Sequence, residues 1–168
     1  MLFRSIYKNE LEKNSIPQIQ LEELLRKYDG ERPTTEPLTC IKKVYSVKKF
    51  TLSIIFHVNR FVRNSYYIEK NNTIISIPLI GLDLSKSIYD IVNSTFEITN
   101  KNNDKQIYDL SSIIIHDGKP GAGTYRSYVR NKAHMKWFEI MDLQIVEVLP
   151  QTVSLTEAYI LFYEQAPQ

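Results

Sequence analysis

The stretch that decides the fold is the last third of the chain, which reads IIIHDGKPGAGTYRSYV from Ile113, KWFEIMDLQIVEVLP from Lys136 and LTEAYILFYE from Leu155. These apolar runs have strand length, are rich in β-branched and aromatic residues, and are separated by a glycine-rich loop and polar turns. They predict strands at Ile107–His116, Thr124–Arg130, Lys136–Met141, Gln144–Val148 and Ala158–Tyr163. The last run has no polar face, which predicts a central strand covered on both sides.

Upstream of this stretch the sequence predicts one helix and several strands. The helix is predicted from apolar residues at helical spacing between Pro17 and a stop at Gly30, namely Leu21, Leu24, Leu25 and Tyr28. Alternating apolar and polar residues predict a strand from Phe50 to Phe61, with Phe50, Leu52, Ile54, Phe56 and Val58 on one face.

The middle of the chain predicts a hairpin, a short helix and a loop. Tyr66–Glu69 and Thr73–Ile77 are expected to be strands joined by a turn at Lys70–Asn72. A short helix is expected at Lys86–Val92, and a polar, mobile loop at Asn100–Lys105. Together the elements predict an α+β fold, an antiparallel-dominated sheet with a few short helices.

The composition excludes several classes of function. The 168 residues suffice for one domain with a core, and a net charge of +2 with scattered basic residues does not predict direct nucleic-acid binding. Cys40 is the only cysteine, which excludes an internal disulfide and a cysteine-based zinc site and favours a reducing, intracellular compartment. No apolar run approaches the ~18 residues of a membrane span, and the N-terminus has no signal-peptide core. A soluble chain, neither spanning a membrane nor exported, is expected.

Short motifs in a fixed order resemble the ubiquitin-specific protease family. They are FHVNRF at Phe56–Phe61, Ile77-Pro78 followed by LDLS at Leu82–Ser85, Tyr108–Leu110, His116-x-Gly118, Gly123-x-Tyr125, Tyr128, Trp137-Phe138 and Ala158–Tyr163. Each motif alone is weak, but chance would have to reproduce both the residue types and their order. The resemblance implies the papain-like, palm-type antiparallel sheet of that family.

The resemblance also implies an inactive homologue without catalytic residues. In that family the residue after the last loop glycine is the catalytic histidine, and the acid that orients it lies just beyond the tryptophan–aromatic pair. Those positions hold Thr124 and Met141 here. A threonine hydroxyl cannot take a proton from a thiol at pH 7, and a thioether cannot orient an imidazolium. The neighbouring Asp142 has no histidine to orient.

A narrower resemblance is to a catalytically inactive branch of the family that is associated with the spliceosomal tri-snRNP. It rests on Ile16–Ile19, Ile68–Ile74, HDGKP at His116–Pro120, Gly123–Arg126 and Leu149–Tyr159. Lys119-Pro120 and Arg126 are not what active members usually carry. The branch implies a nuclear protein that acts in tri-snRNP assembly through contacts with spliceosomal proteins, and that binds ubiquitin weakly or not at all.

The family domain is longer than this chain, so residues 1–168 are expected to be the C-terminal part of a ubiquitin-specific-protease-like domain in a longer protein. The part that carries the nucleophilic cysteine, and the zinc-knuckle cysteines of many members, are absent from it. Two alternatives stay open. One is the C-terminal half of an active deubiquitinase whose missing half supplies nucleophile and base. The other is an inactive domain that still binds ubiquitin.

The remaining chemically capable residues are scattered. Cys40 lies in a proline-broken connector without a glycine-rich or helix-start context to activate its thiol. His116, followed by Asp117, ends an isoleucine-rich strand and is expected to hydrogen-bond the next loop rather than act as a base. His57 is expected to pack or hydrogen-bond, and His134 to be solvated. Without ligand spacing among them, neither a metal nor another cofactor is predicted.

The glycine-rich run Gly118–Gly123 follows a strand, as phosphate-binding loops do. Pro120, the lack of a following helix and the missing Lys-Ser/Thr pair argue against that function. The run is expected to be a flexible loop that offers a partner-binding edge. Partner contacts are expected from loops 116–126 and 131–136, and from Tyr125, Trp137 and Phe138 where these aromatics reach the surface rather than the core.

Overall fold

The computed structural model describes residues 16–36, 39–47, 50–85 and 106–167. The helices in these ranges are α1 (Leu21–Leu25, continued by a 3-10 turn at Arg26–Tyr28) and α2 (Pro150–Ser154). The strands are β1 (Gln18–Gln20), β2 (Thr34–Thr35), β3 (Lys42–Lys43), β4 (Ser53–His57), β5 (Phe61–Arg63), β6 (Ile68–Lys70), β7 (Ile74–Ser76), β8 (Leu82–Asp83), β9 (Ile107–Lys119), β10 (Ala122–Asn131), β11 (Lys136–Met141), β12 (Gln144–Val148), β13 (Leu155–Thr156) and β14 (Ala158–Gln165).

One large sheet contains most of the last third of the chain. Its strand order is β12-β11-β10-β9-β14-β4, with β8 paired to β9, and its pairings are all antiparallel. A smaller sheet has the order β1-β7-β13, in which β1 and β7 run parallel. The predicted α+β fold is confirmed, and β11 and β12 have the predicted bounds. The strand predicted to be central, β14, lies between β9 and β4, although its alternate residues are only half-buried.

The core lies on one face of the large sheet, and a bulge keeps the long strand β9 in phase with it. Tyr108 and Leu110 are buried near its start, whereas Ile113 and Ile115 are buried further along, so the alternation shifts by one residue between them. The pairing with β14 shifts at the same place, and the Ser111 hydroxyl donates to a β14 carbonyl at 3.2 Å. An extra residue in one strand has this effect on side-chain phase.

A buried arginine joins the large sheet to the smaller one. The Arg60 guanidinium donates to the carbonyl oxygens of Ala158 at 2.6 Å, Asn71 at 2.8 Å and Thr73 at 2.9 Å. Burial lowers the pKa of Arg60 to about 10, which leaves it charged at neutral pH. Its bonds therefore fix the start of β14 against the segment that leads into β7.

The single strand predicted from Phe50 to Phe61 is wrong. It is divided into β4 and β5, because the chain turns between them where Arg60 points inward to its three carbonyls. Leu52, expected on the buried face, precedes β4 and is 76% exposed. Ile54 and Phe56 do pack against the core, as the alternation predicted.

The hairpin predicted around Lys70–Asn72 is also wrong. The strand β6 pairs with β5, whereas β7 pairs with β1 and β13. The Asn71 side chain accepts hydrogen bonds from both the amide and the hydroxyl of Thr73. This local turn comes just before β7, which does not pair with β6. The predicted helix at Lys86–Val92 and loop at Asn100–Lys105 lie outside the described residues.

Candidate functional site at the β9–β10 hairpin

The glycine-rich run forms a tight hairpin between β9 and β10. Lys119 pairs with Ala122, so only Pro120 and Gly121 connect the strands. Gly121 has φ +77°, a conformation that glycine adopts freely, and proline suits the position before it. The ladder continues through the remaining glycines, so the expected long loop is in fact strand on both sides of a two-residue turn.

Thr124 and Met141 lie near each other on neighbouring strands. Thr124 is exposed on β10 opposite Asp117, and Met141 ends β11. Ser127 pairs with Ile140 at the end of the β10–β11 ladder, and Arg126 and Met141 are the residues directly beyond that pair on their strands. Because side chains on a strand alternate, Thr124, Arg126 and Met141 belong to one face of the sheet.

The guanidinium of Arg126 dominates the electrostatics of this face. It forms ion pairs with Asp117 at 2.8 Å and Glu139 at 2.7 Å, and it lies over the ring of Tyr128. Burial lowers the pKa of Arg126, but the hydrogen bond to Glu139 and the nearby negative charges outweigh burial, so the net pKa is raised. We call these residues the Arg126 cluster: Asp117, Arg126, Tyr128 and Glu139. Its two carboxylates face a permanent cation, and its cation cannot accept a proton.

The opposite face of the hairpin has a ring of aromatic side chains. Phe61, His116, Tyr125 and Tyr159 contact one another in sequence, with ring-centroid distances of 5.2, 5.2, 6.4 and 5.7 Å around the cycle. His57 adds a contact to Tyr159 at 4.9 Å. We call the four-membered cycle the aromatic cluster. Three of these four contacts are edge-to-face and the Tyr125–Tyr159 pair is tilted. Edge-to-face aromatic pairs contribute about 0.5–1.5 kcal/mol each beyond area burial.

Gly123 lies directly beside the His116 ring of the aromatic cluster. A Cβ at this position would lie 2.3 Å from the carbonyl oxygen of Asp117 and 2.5 Å from Nε2 of His116. The glycine is therefore required by close approach, whereas its φ is ordinary. On the same side, Lys70 donates to the carbonyl oxygen of His116 at 2.6 Å and pairs with Glu157 at 3.1 Å.

The histidines and the cysteine lie apart. His116 was expected to end a strand and bond the next loop, but it lies inside β9 with a buried ring whose Nδ1 has no hydrogen-bond partner among the described residues. His57 packs on Tyr159, and His134 is exposed beside Asn131. Cys40 is exposed.

Across the described ranges, no three His, Cys, Asp or Glu side chains come together in a group that could hold a metal ion. Within the same ranges, no helix has the length and apolar content needed to cross a membrane.

The aromatic residues named as candidate contacts differ in their surroundings. Tyr125 is 57% exposed, Phe138 is half-buried, and Trp137 is buried in the core. The Arg126 cluster is the feature that sequence reasoning missed. Arg126 itself was noted, but its two partners come from other strands and become visible only with the pairing register.

Comparison with known proteins identifies the family and several relatives. The family model "Ubiquitin carboxyl-terminal hydrolase" matches residues 2–163. The chain is 36% identical over 165 residues to "Ubiquitin carboxyl-terminal hydrolase 39" of Homo sapiens, covering 95% of this chain and 27% of that protein. It is 32% identical over 168 residues to "Probable mRNA-splicing protein ubp10" of Schizosaccharomyces pombe, covering 97% of this chain and 32% of that protein. The chain thus spans about a third or less of the length of these relatives.

Solved structures show the same fold at low sequence identity. The "SAGA Ubp8/Sgf11/Sus1/Sgf73 DUB module" matches 90% of this chain and 33% of the solved chain, with a TM-score of 0.68 and 18% identity. An "essential yeast splicing factor" matches 90% of this chain and 31% of the solved chain, with a TM-score of 0.60 and 20% identity. The palm-type sheet expected from the sequence is confirmed.

Proposed function

This chain belongs to the ubiquitin carboxyl-terminal hydrolase family, and from that premise we propose that it is a non-catalytic member that acts in pre-mRNA splicing. It serves as a scaffold in assembly of the tri-snRNP, in the nucleus, through contacts with spliceosomal proteins. Neither a metal nor another cofactor takes part.

The observation that carries the non-catalytic part is the composition of the face around Thr124. A cysteine hydrolase needs an imidazole to take the thiol proton and a polar group to orient that imidazole. Here a hydroxyl and a thioether stand at the two positions that the resemblance matches to this pair, and Arg126 lies on the same face of the sheet. The two carboxylates of this face are held in ion pairs with Arg126. His116 is on the other face, where it packs against aromatic rings.

The relatives support the splicing part. One has a name that describes a splicing protein, and it aligns with 97% of this chain. The human relative, at 36% identity, carries a hydrolase name that does not itself state an activity for this chain. A palm sheet without an acid–base pair still offers surfaces and loops to partners, which suits a scaffold.

The enzymatic part is tested with the full-length protein and a fluorogenic ubiquitin conjugate. We expect no turnover above buffer at micromolar enzyme, with an active family member as the positive control. Turnover that a single upstream Cys→Ala change abolishes would make the protein an active deubiquitinase instead. Titration of labelled ubiquitin tests the remaining alternative, a domain that is inactive but binds ubiquitin.

The splicing part is tested separately by gradient sedimentation of nuclear extract. We expect the tagged full-length protein to sediment with tri-snRNP particles and to remain with them after affinity purification. If the protein sediments only in light fractions at low salt, the splicing assignment is wrong, while the family and the fold stand.

A further inference from the structure

Thr124, Arg126 and Met141 form a close group where β10 and β11 stop pairing. Thr124 lies directly across from Asp117 on β9. Arg126 is two residues further along β10 and lies beside Met141, because both come directly beyond the last pair of the β10–β11 ladder. Opposite residues of an antiparallel pair have Cβ atoms about 5 Å apart, whereas diagonal neighbours are about 7–8 Å apart. Arg126 is therefore nearer than Thr124 to the position of Met141.

Arg126 connects carboxylates from the strands on both sides of it. Its Nε lies 2.8 Å from Oδ2 of Asp117, and its Nη1 lies 2.7 Å from Oε1 of Glu139. Nη1 also donates to the Tyr128 hydroxyl at 3.2 Å. A guanidinium has five N–H groups, stays charged in proteins and binds carboxylates through a rigid fork. These contacts therefore leave donors for a further carboxylate at a neighbouring position.

This arrangement decides where a carboxylate at position 141 would bind. Directly across from it is the guanidinium of Arg126, whereas an imidazole at position 124 would be a diagonal neighbour. Hydrogen bonds between arginine and carboxylate are charge-assisted and often bidentate, so the carboxylate would pair with the guanidinium first. An imidazole at position 124 would face Asp117, whose carboxylate is also held by Arg126. Arg126 therefore competes for both carboxylates that could orient such an imidazole.

We propose that Arg126 is a positioning residue that holds carboxylates away from position 124, so that the face with the Arg126 cluster could not form an imidazole–carboxylate pair even with a histidine at 124 and an aspartate at 141. The inactivity of this face then depends on three residues rather than on Thr124 and Met141 alone. The proposal rests on the proposed non-catalytic function for the match of those two positions to the family's base and acid. Its test uses neither ubiquitin nor splicing particles, so each can fail alone.

The test measures the coupling between two introduced groups with Arg126 present and with Arg126 replaced. Thr124→His and Thr124→His/Met141→Asp are made in the 168-residue chain, each with Arg126 and with Arg126→Met. The pKa of the introduced imidazole is followed by NMR titration, and its signal is the one absent from the wild-type spectrum with its three histidines. The coupling is the rise in this pKa when Met141→Asp is added, because a paired carboxylate favours the charged imidazolium.

The expected coupling is small with Arg126 and large without it. With Arg126 in place, Met141→Asp should raise the pKa of the introduced imidazole by less than about 0.3 pH unit, and with Arg126→Met by about 1 pH unit or more. Arg126→Lys keeps a cation beside position 141 and should keep the rise small. The matched control is Lys132→Met, which removes a cation that pairs with Glu164 beyond the far end of β10. It should leave the coupling unchanged.

Two results would overturn the proposal. One is a rise of about 1 pH unit with Arg126 in place, a result that needs no Arg126 variant. The other is an equally small rise with and without Arg126, because the pair would then fail for a different reason. Thermal unfolding checks that each variant is folded before its titration is compared. Arg126→Gln, which removes the charge but still donates hydrogen bonds, has the same expected result and replaces Arg126→Met if that variant does not fold.

Discussion

The two faces of the β9–β10 hairpin carry residues that are neighbours in the sequence, but their chemistry differs. Asp117 and Arg126 form ion pairs on one face, whereas His116 and Tyr125 pack ring against ring on the other. The first face is half-exposed and charged, and the second contains a histidine that is buried. The period of two in a strand lets neighbouring residues serve these separate environments.

This difference teaches that charge pairing and ring packing can be separated within one hairpin. Thr124 and Met141, which the resemblance matches to the family's base and acid, lie on the charged face. On the other face, the His116 ring of the aromatic cluster lies so close to Gly123 that no side chain fits there. Substitution on the charged face can therefore change its charges while the ring contacts of the other face remain.

The largest expected effect comes from substituting Arg60, the buried arginine that joins the two sheets. Arg60→Met should cost about 4 kcal/mol or more, because three carbonyl oxygens, two of them in buried hydrogen bonds, lose their donor at once. Urea unfolding of the 168-residue chain, followed by the fluorescence of buried Trp137, measures this. Arg60→Lys keeps the charge but cannot reach all three oxygens, so it should fall in between. A loss below about 1 kcal/mol for Arg60→Met would mean that these bonds do not hold the sheets together.

A single methyl group at the hairpin should have the next largest effect. Gly123→Ala places a Cβ against the Asp117 carbonyl and the His116 ring, and we expect about 3 kcal/mol of destabilisation. The matched control is Thr124→Ala, one residue away on the exposed face, which should change stability by less than about 0.5 kcal/mol. Equal effects of the two changes would contradict the separation of the faces. The same urea unfolding measures both variants.

Much of the large sheet was predictable from the sequence. The strands β9 to β12 and β14 follow from apolar runs between polar turns, and Pro120-Gly121 carried a turn signal within the glycine-rich run. The errors lay where tertiary contacts override local pattern. Leu52 fits the alternation of a strand but precedes β4, and Asn71 looked like a hairpin turn until its side chain was seen to bond Thr73.

The residues of the site could be named from the sequence, but their arrangement could not be predicted. The match of Thr124 and Met141 to the family's base and acid positions depends on their order relative to Gly123 and Trp137, and it stays a prediction. The partners of Arg126 could not, since Asp117 and Glu139 are assigned to it only by the register of three strands. The ring contacts of His116 depend on the same β9–β10 register, which brings Tyr125 beside it, and on Phe61 from β5.

His116 and Asp117 are sequence neighbours on opposite faces, so substituting each in turn compares directly what the two faces contribute to stability. His116→Ala should cost about 2 kcal/mol, because it removes a buried ring from the aromatic cluster, a loss partly offset by removal of an unpaired nitrogen. Asp117→Ala should cost less than about 1 kcal/mol, because its ion pair is half-exposed. Unfolding at low and high salt distinguishes the two. The His116→Ala loss should not depend on salt, and a shared salt dependence would show that the faces are coupled.

A small, salt-dependent effect is expected for the residue at the centre of the charged face. Arg126→Met should cost about 1 kcal/mol at low salt and less at high salt, since both of its ion pairs are partly exposed and screened. The pKa of Arg126 is raised, so its stabilising contribution is complete below the ordinary arginine pKa and is lost only as pH rises through the raised value. The stability difference between Arg126→Met and wild type should accordingly be constant from neutral to mildly alkaline pH. A difference that changed with pH in that range would mean that another titrating group contacts Arg126, and the charged face would then retain acid–base chemistry that its residues do not otherwise provide.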